Sequence, residues 1–420
     1  MRFIRQLLRF GILACCTSVE LADATESLHA FATSTTGTGV MGSWAEVADT
    51  DLTGLAAADG ICRARATAAN LVDPDTYAAW LSDRDNDAYC RVFGLSGKKA
   101  DRCGLASLPI GAGPWLRLDE TPFADTIENA LDANVVYSPL NVDETGNYFF
   151  TPAESFTATD RDGTFITKFD NNPDCERWSA IPAPTLGSTP ALGSNLSSSG
   201  DWTFDAHGAS CSTRQHLICM QKGSGAALQR HSQSGHREAF VTSADVTGDL
   251  DGLDGTDAVC QSLAAAANLH QPESFKALVA SATFGLGVTD RFQYDGPWYR
   301  RDGLLFAHDK AELIGGAVTL PLNVTETGTY LDISVALTGA LRDGSPSGFD
   351  CNGWAGGADA RATGALVNSI AFFANSHEWL SPANVSCTIT QPGDWPRKLF
   401  CLSDSDVIFH DEFVAPAASL

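Results

Sequence analysis

The chain has 420 residues, room for two or three domains, and its 44% hydrophobic and 19% charged content is that of a folded protein, not a disordered one. A formal net charge of −24 excludes nucleic acid, heparin-like polyanions and anionic lipid as partners held by bulk electrostatics, because those need clustered Lys and Arg.

The first residues, MRFIRQLLRFGILACC, carry Arg2, Arg5 and Arg9 ahead of a short apolar run from Phe10 to Ala14. This pattern predicts an export signal over residues 1–16. Ile12-Leu13-Ala14-Cys15 also has the form of a bacterial lipobox, with Cys15 as lipid attachment point. Such an anchor is the membrane attachment expected, since no other apolar stretch reaches the ~18 residues that span a bilayer. The location expected is secreted or cell-surface, with a periplasmic or outer-membrane lipoprotein as the anchored form.

From residue 30 onward the chain repeats itself. DLTGLAAADGIC (Asp51 to Cys62) matches DLDGLDGTDAVC (Asp249 to Cys260), and TYAAWLS (Thr76 to Ser82) answers SFKALVA (Ser274 to Ala280). GPWLRLD (Gly113 to Asp119) answers GPWYRRD (Gly296 to Asp302). PLNVDETG (Pro139 to Gly146) differs in one letter from PLNVTETG (Pro321 to Gly328). Cys175-Glu-Arg-Trp178 answers Cys351-Asn-Gly-Trp354, and a closing strand carries Cys219 or Cys401. Ordered blocks of this kind predict two homologous domains, 30–222 and 238–405. Residues 223–237 read as a polar Gly/Ser-containing linker, and 406–420 as a tail without a repeat partner.

Within each repeat, an entry strand (His29 to Ser34, Glu238 to Ser243) leads into an Ala-rich helix around the first cysteine. Asp59 and Asp257, three residues before that cysteine, are expected near the helix start, where a carboxylate meets unpaired N–H groups. A short buried strand follows, then many short strands broken by Gly, Asn, Asp and Pro. The predicted class is α+β, one main helix per repeat with antiparallel strands. In PLNVDETG and PLNVTETG, Pro and Gly bracket a polar turn. The Asn and Glu side chains (Asn141, Glu144, Asn323, Glu326) are expected to cap loop backbone and not to touch a ligand.

The twelve cysteines fall as Cys15 and Cys16, then six in the first repeat (Cys62, Cys90, Cys103, Cys175, Cys211, Cys219) and four in the second (Cys260, Cys351, Cys387, Cys401). Even groups without a CxxC pair point to disulfides and an oxidising compartment, not to a zinc ribbon. Spacing alone leaves 15 connectivities for six cysteines and 3 for four. Cys90 and Cys103 have no cysteine counterparts: matching FGL at Phe93 and Phe284 sets Ser281 opposite Cys90, and matching Asp-Arg sets Phe292 opposite Cys103. Their joint absence from the second repeat supports a local Cys90–Cys103 bridge.

The ordered set resembles endostatin and the bacterial domain-of-unknown-function family 1554, variants of the C-type-lectin-like fold. The residues carrying it are Leu52, Gly54, Leu55, Asp59 and Cys62, repeated at Leu250, Gly252, Leu253, Asp257 and Cys260, with KKADRCGLASLPI (Lys98 to Ile110), Cys-x-x-Trp and the cysteine-bearing last strand. The resemblance spans nearly all of both repeats and implies two tandem disulfide-stabilised lectin-like domains. It also implies nested bridges: Cys62–Cys219 around Cys175–Cys211, and Cys260–Cys401 around Cys351–Cys387. Endostatin's heparin activity is not carried over, because its arginine-rich surface has no match in so acidic a chain.

Several constellations invite chemistry. Asp249, Asp251 and Asp254 lie in an Asp-rich run that suggests calcium, but the EF-hand order is broken, and Thr53 and Ala56 replace Asp251 and Asp254 in the first repeat. A polar turn leading into a helix explains the run better. His231 and His236 fall short of a zinc site, which needs three or four converging ligands. QPGDW (Gln391 to Trp395) echoes a lectin sugar motif with an added Gly. Sequons stand at Asn195, Asn323 and Asn384. No GxSxG, HExxH, Walker or dinucleotide motif occurs. The leading expectation is a non-enzymatic protein binding an extracellular protein or glycan without a cofactor. The alternatives are a disulfide-stapled spacer of the cell envelope and, third, an uncharacterised hydrolase.

Overall fold

The computed structural model describes residues 27–131, 135–148, 154–166, 173–181, 189–228, 230, 236–315, 318–331, 334–357, 360–366, 383–388 and 396–406. The leader with Cys15, His231, the QPGDW stretch and the tail beyond residue 406 lie outside them.

The architecture is α+β. In the first copy of the repeat, β1 (Leu28–Ala32), β2 (Tyr77–Ala79), β3 (Trp115–Leu116), β4 (Pro122–Ala124), β5 (Glu154–Phe156), β6 (Leu192–Ser194) and β7 (His216–Gln221) form one sheet of order β4-β3-β1-β7-β5-β6, with β2 also on β7. In the second copy, β8 (Arg237–Val241), β9 (Phe275–Ala277), β10 (Trp298–Arg300), β11 (Leu305–Ala307) and β16 (Phe400–Ser403) form a sheet of order β11-β10-β8-β16-β9. A third sheet joins β12 (Val335–Leu337), β13 (Arg361–Leu366), β14 (Ala383–Ser386) and β15 (Arg397–Lys398). The pairings repeat. Entry strand β1 runs parallel to β3 and antiparallel to β7, and β8 does the same with β10 and β16. Both β3–β4 and β10–β11 break register directly after the tryptophan of Gly-Pro-Trp, and both Gly-Pro bonds are cis.

The Ala-rich segments form helices α1 (Gly54–Ala68) and α2 (Leu253–Ala266). Ala57, Ala58, Ile61, Cys62 and Ala66 give α1 a buried face whose small side chains allow close packing on the sheet. Asn70 and Asn268 take positive φ just past the helix ends, a conformation Asn tolerates better than most residues. Asp59 and Asp257 do not lie at the helix starts. They sit well inside, and each carboxylate reaches sideways to the backbone N–H of the following strand (Ala79 and Ala277, both 2.9 Å) and to an arginine, Arg91 or Arg291. The helix N-termini need no carboxylate at that position because they open one or two turns earlier.

That shared ion pair corrects the alignment of the bridged loop. Arg91 is the structural equivalent of Arg291, so Val92, not Cys103, stands where Phe292 does. Ser281 corresponds to Asp83, since the Trp178 and Trp354 indoles bond to the residues just before them, Ser82 O and Ala280 O. The first copy runs 34 positions from Ala79 to Gly113, the second only 19 from Ala277 to Gly296. Cys103 therefore lies in an insertion, which the Cys90–Cys103 bridge closes. The other bridges are Cys62–Cys219, Cys175–Cys211, Cys260–Cys401 and Cys351–Cys387, the pairs the resemblance implies.

The Cys-x-x-Trp segments are left-handed. All four residues have φ between 46° and 60° in the first copy, and between 54° and 71° in the second. Such a run is costly for residues with a Cβ and persists only where surroundings fix it. Here the disulfide holds one end and the indole hydrogen bond the other. Gly39 and Gly248 lie against the Cys175 and Cys351 sulfurs with no space for a side chain.

In the repeated phrase the first six residues are buried and the turn itself, Thr145-Gly146 or Thr327-Gly328, reaches the surface. Glu144 accepts from Ser34 N–H (2.8 Å), Ser34 Oγ and Arg65, while Glu326 accepts from Ser243 N–H (3.0 Å) and Ser243 Oγ. Each carboxylate thus satisfies the loop that leaves the entry strand. Glu144→Ala strips acceptors from the part-buried Ser34 N–H and from the Arg65 guanidinium, and is expected to lower unfolding free energy by about 1–3 kcal/mol in urea titration. Asn141 Oδ1 accepts from Arg117 at 2.7 Å. Its equivalent, Asn323, turns instead toward the first copy, with Nδ2 3.4 Å from Val136 O. Asn195 and Asn323 are fully buried, so of the three sequons it is Asn384 whose side chain is exposed.

That turn belongs to a junction between the copies. Tyr137 packs on Tyr330 (centroids 6.0 Å apart) and, with Leu304 and Leu320, forms a small apolar cluster. Arg300, fully buried, donates to Tyr137 O at 3.2 Å and to Pro321 O at 2.8 Å. Arg230 reaches from the linker to Asp302 O (2.8 Å), the Asp125 carboxylate and the Tyr137 hydroxyl. Aligned on Gly-Pro-Trp and Pro-Leu-Asn, the first-copy positions matching Leu304 and Leu320 are Thr121 and Ser138, and Tyr137 is matched by Thr319. Of the four anchors, Tyr330 alone keeps an aromatic equivalent, Tyr148, which is exposed in the first copy.

Candidate functional site: a polar pocket on the first copy

After β1 the chain crosses to the hairpin before β7. Gly37 exchanges both backbone bonds with Gln215 (3.1 and 3.0 Å), and Gly39 N–H donates to Cys211 O at 2.8 Å. Alternation then places Thr36 and Thr38 on the face opposite to that of Gly37. From Gly39 to Leu55 the first copy runs 16 positions, whereas the second covers Gly248 to Leu253 in 5. The additional loop folds back over Gly37. Trp44 lies flat on that glycine, which leaves no space for a Cβ, and its Nε1 donates to Thr38 O at 2.9 Å. In the second copy the residue at the Gly37 place is Val246, a buried side chain where the indole would sit.

The folded-back loop leaves a concavity of about 300 Å³ lined by Thr35, Thr36, Thr38, Ser43, Glu46 and Arg214, with Gly37, Trp44 and Ala45 as its apolar share. That volume is at the small end of ligand pockets. Trp44 is 4% exposed, so it buttresses the wall instead of offering a free face. Glu46 accepts from Thr35 Oγ1 at 2.8 Å and lies 3.7 Å from Arg65, which also holds Glu144. One wall is therefore tied through Arg65 to the buried Glu144 turn. Opposite, exposed Arg214 donates to Thr36 O and, at 3.4 Å, to Thr36 Oγ1, and has no carboxylate partner among the described residues. In the second copy its place is taken by Pro396.

The residues singled out by sequence are elsewhere. Asp249, Asp251 and Asp254 are exposed, and among the described residues no three His, Cys, Asp or Glu side chains gather as metal ligands. His236 stacks against Tyr299 (4.8 Å). His216 is half-buried, its Nδ1 2.6 Å from Thr33 O, and desolvation holds its pKa below the ordinary value. Burial and the Asp205 charge raise Glu154, and burial raises Asp205; His207 Nδ1 is 3.6 Å from Asp205, on the exposed rim. The pocket escaped sequence reading because its walls are 179 positions apart and built of common residues, though the 16-against-5 spacing was visible. No protein-family model matches the chain, and no curated protein matches it in sequence.

Proposed function

We propose that this is an exported or surface-held, non-enzymatic binding protein of two tandem endostatin-like, C-type-lectin-like modules, taking an extracellular glycan or protein group in the first-copy pocket. The observation that carries this reading is the pocket itself, hydroxyl-rich, open and built by a loop the second copy lacks. Five disulfides support an oxidising extracellular setting. Among the described residues no helix is long and apolar enough to cross a membrane. Because the second copy has Pro396 and only five positions from Gly248 to Leu253, one site of this kind is expected per chain among the described residues, and calorimetric titration should give one ligand per chain.

A spacer role is the second reading, and the junction favours it: Tyr137, Arg230, Arg300 and Tyr330 join the copies instead of leaving them as independent binders. The test is Ala45→Trp, which fills the pocket mouth from an exposed position. Labelled wild-type protein should bind cell-surface or glycan arrays, and the variant should lose that binding with its melting temperature unchanged. Equal binding by the variant excludes the pocket, and no binding by either protein favours the spacer.

A further inference from the structure

Resting on the pocket reading above, we propose that the pocket takes the uronic-acid unit of an acidic saccharide, its carboxylate held by Arg214 and its hydroxyls by the threonine–serine wall. The first argument is charge. In a chain of net charge −24, Arg214 stands at the pocket without a carboxylate partner among the described residues, while Arg65 behind the opposite wall is engaged by Glu46 and Glu144. The Arg214 fork is already oriented, since two of its nitrogens are fixed on Thr36. A guanidinium held this way matches a planar carboxylate geometrically.

The second argument is the opposite wall. Glu46 is a fixed acceptor there, and a phosphate monoester, close to doubly charged at neutral pH, would meet its negative charge. A singly charged carboxylate kept on the Arg214 side leaves Glu46 to accept from a neutral hydroxyl. The third is the lining. Thr35, Thr36, Thr38 and Ser43 set hydroxyl oxygens around the pocket beside an apolar share from Gly37, Trp44 and Ala45; Thr35 and Ser43 direct their protons to Glu46 and Val40 O and so offer acceptors to a sugar hydroxyl. A sugar ring offers hydroxyls at such density.

The experiment is titration of the full chain, in low salt, with a trigalacturonate probe, its carboxyl-reduced neutral counterpart and a short peptide with a free carboxylate terminus. Heat is the readout. The acidic saccharide should bind at least tenfold more tightly than the neutral one, and that preference should vanish in Arg214→Gln, whose unchanged melting temperature shows an intact fold. Equal binding of both saccharides overturns this inference while leaving the pocket reading standing. Binding of the peptide but of neither saccharide also overturns it, in favour of a protein ligand. Binding of the acidic saccharide that Arg214→Gln retains but Ala45→Trp abolishes removes Arg214 from the role. If no probe binds, the inference fails outright, and the array test decides the pocket reading separately.

Discussion

Replacing Cys62 and Cys219 together by serine is expected to lower the unfolding free energy of the first copy by about 5 kcal/mol. The bridge closes a separation of 157 residues, and loop-closure entropy grows with the logarithm of loop length. The same calculation gives about 3 kcal/mol for Cys90–Cys103, whose separation is 13. The long bridge also ties α1 to β7, the central strand that pairs with β1, β2 and β5. Two serines at sites of 0% exposure add the cost of burying hydroxyls where sulfurs packed. At about 2–4 °C per kcal/mol for a unit of this size, the Cys62/Cys219 variant should melt roughly 10–20 °C below wild type. The Cys90/Cys103 variant should fall by clearly less. If calorimetry finds the two losses equal, the loop-length account of these bridges is wrong.

The equivalent Cys260–Cys401 bridge spans 141 residues and ties α2 to β16, so its loss should cost the second copy nearly as much. Several of these features were legible in the sequence, and for a physical reason. An Ala-rich helix, a short buried strand and the order of cysteines are local patterns, and a repeat shows each of them twice. Side-chain destinations set by tertiary contact were not legible. Asp59 and Asp257 read as helix caps because Asp is common there, yet the N–H groups they satisfy belong to strands 20 positions on. The FGL match between Phe93 and Phe284 misled because three letters in a loop carry little information against a shift of 15 positions. Here the ion pairs Asp59–Arg91 and Asp257–Arg291 settle the correspondence. The junction had a readable trace, Thr121 and Ser138 becoming Leu304 and Leu320, but nothing said what those leucines meet until Tyr137 was placed on them.

Arg300→Ala should be the most damaging single substitution at that junction, with an expected loss of about 3–5 kcal/mol. Arg300 is fully buried and pairs with Asp302, whose side chain is 9% exposed, and it also donates to Pro321 O and Tyr137 O. Removing it leaves a buried carboxylate uncompensated and two carbonyls without their donor. The matching change in the first copy, Arg117→Ala, should cost less, because Asp119 is 18% exposed beside a 40% exposed Tyr148 and water can replace part of the guanidinium. The pH dependence separates the pair from simple packing. Burial works against the charged form of Asp302, but the Arg300 charge and hydrogen bonds outweigh it and hold the carboxyl below its usual range. A depressed folded pKa contributes stability that is present above the unfolded value, about 3.9, and is lost as pH falls through the folded one. Without Arg300 the Tyr330 hydroxyl and the Leu304 N–H remain, but with the paired charge gone burial pushes the carboxyl up, and Asp302 opposes folding increasingly as pH rises above about 4. The gap between wild type and Arg300→Ala should therefore be widest near pH 7 and shrink toward pH 3. Asp302→Asn in the Arg300→Ala background should recover part of the loss at pH 7 and little at pH 3. A gap that stays constant across that range would mean that the apolar contact of Tyr137 with Leu304 and Leu320, not the buried charge pair, holds the two copies together.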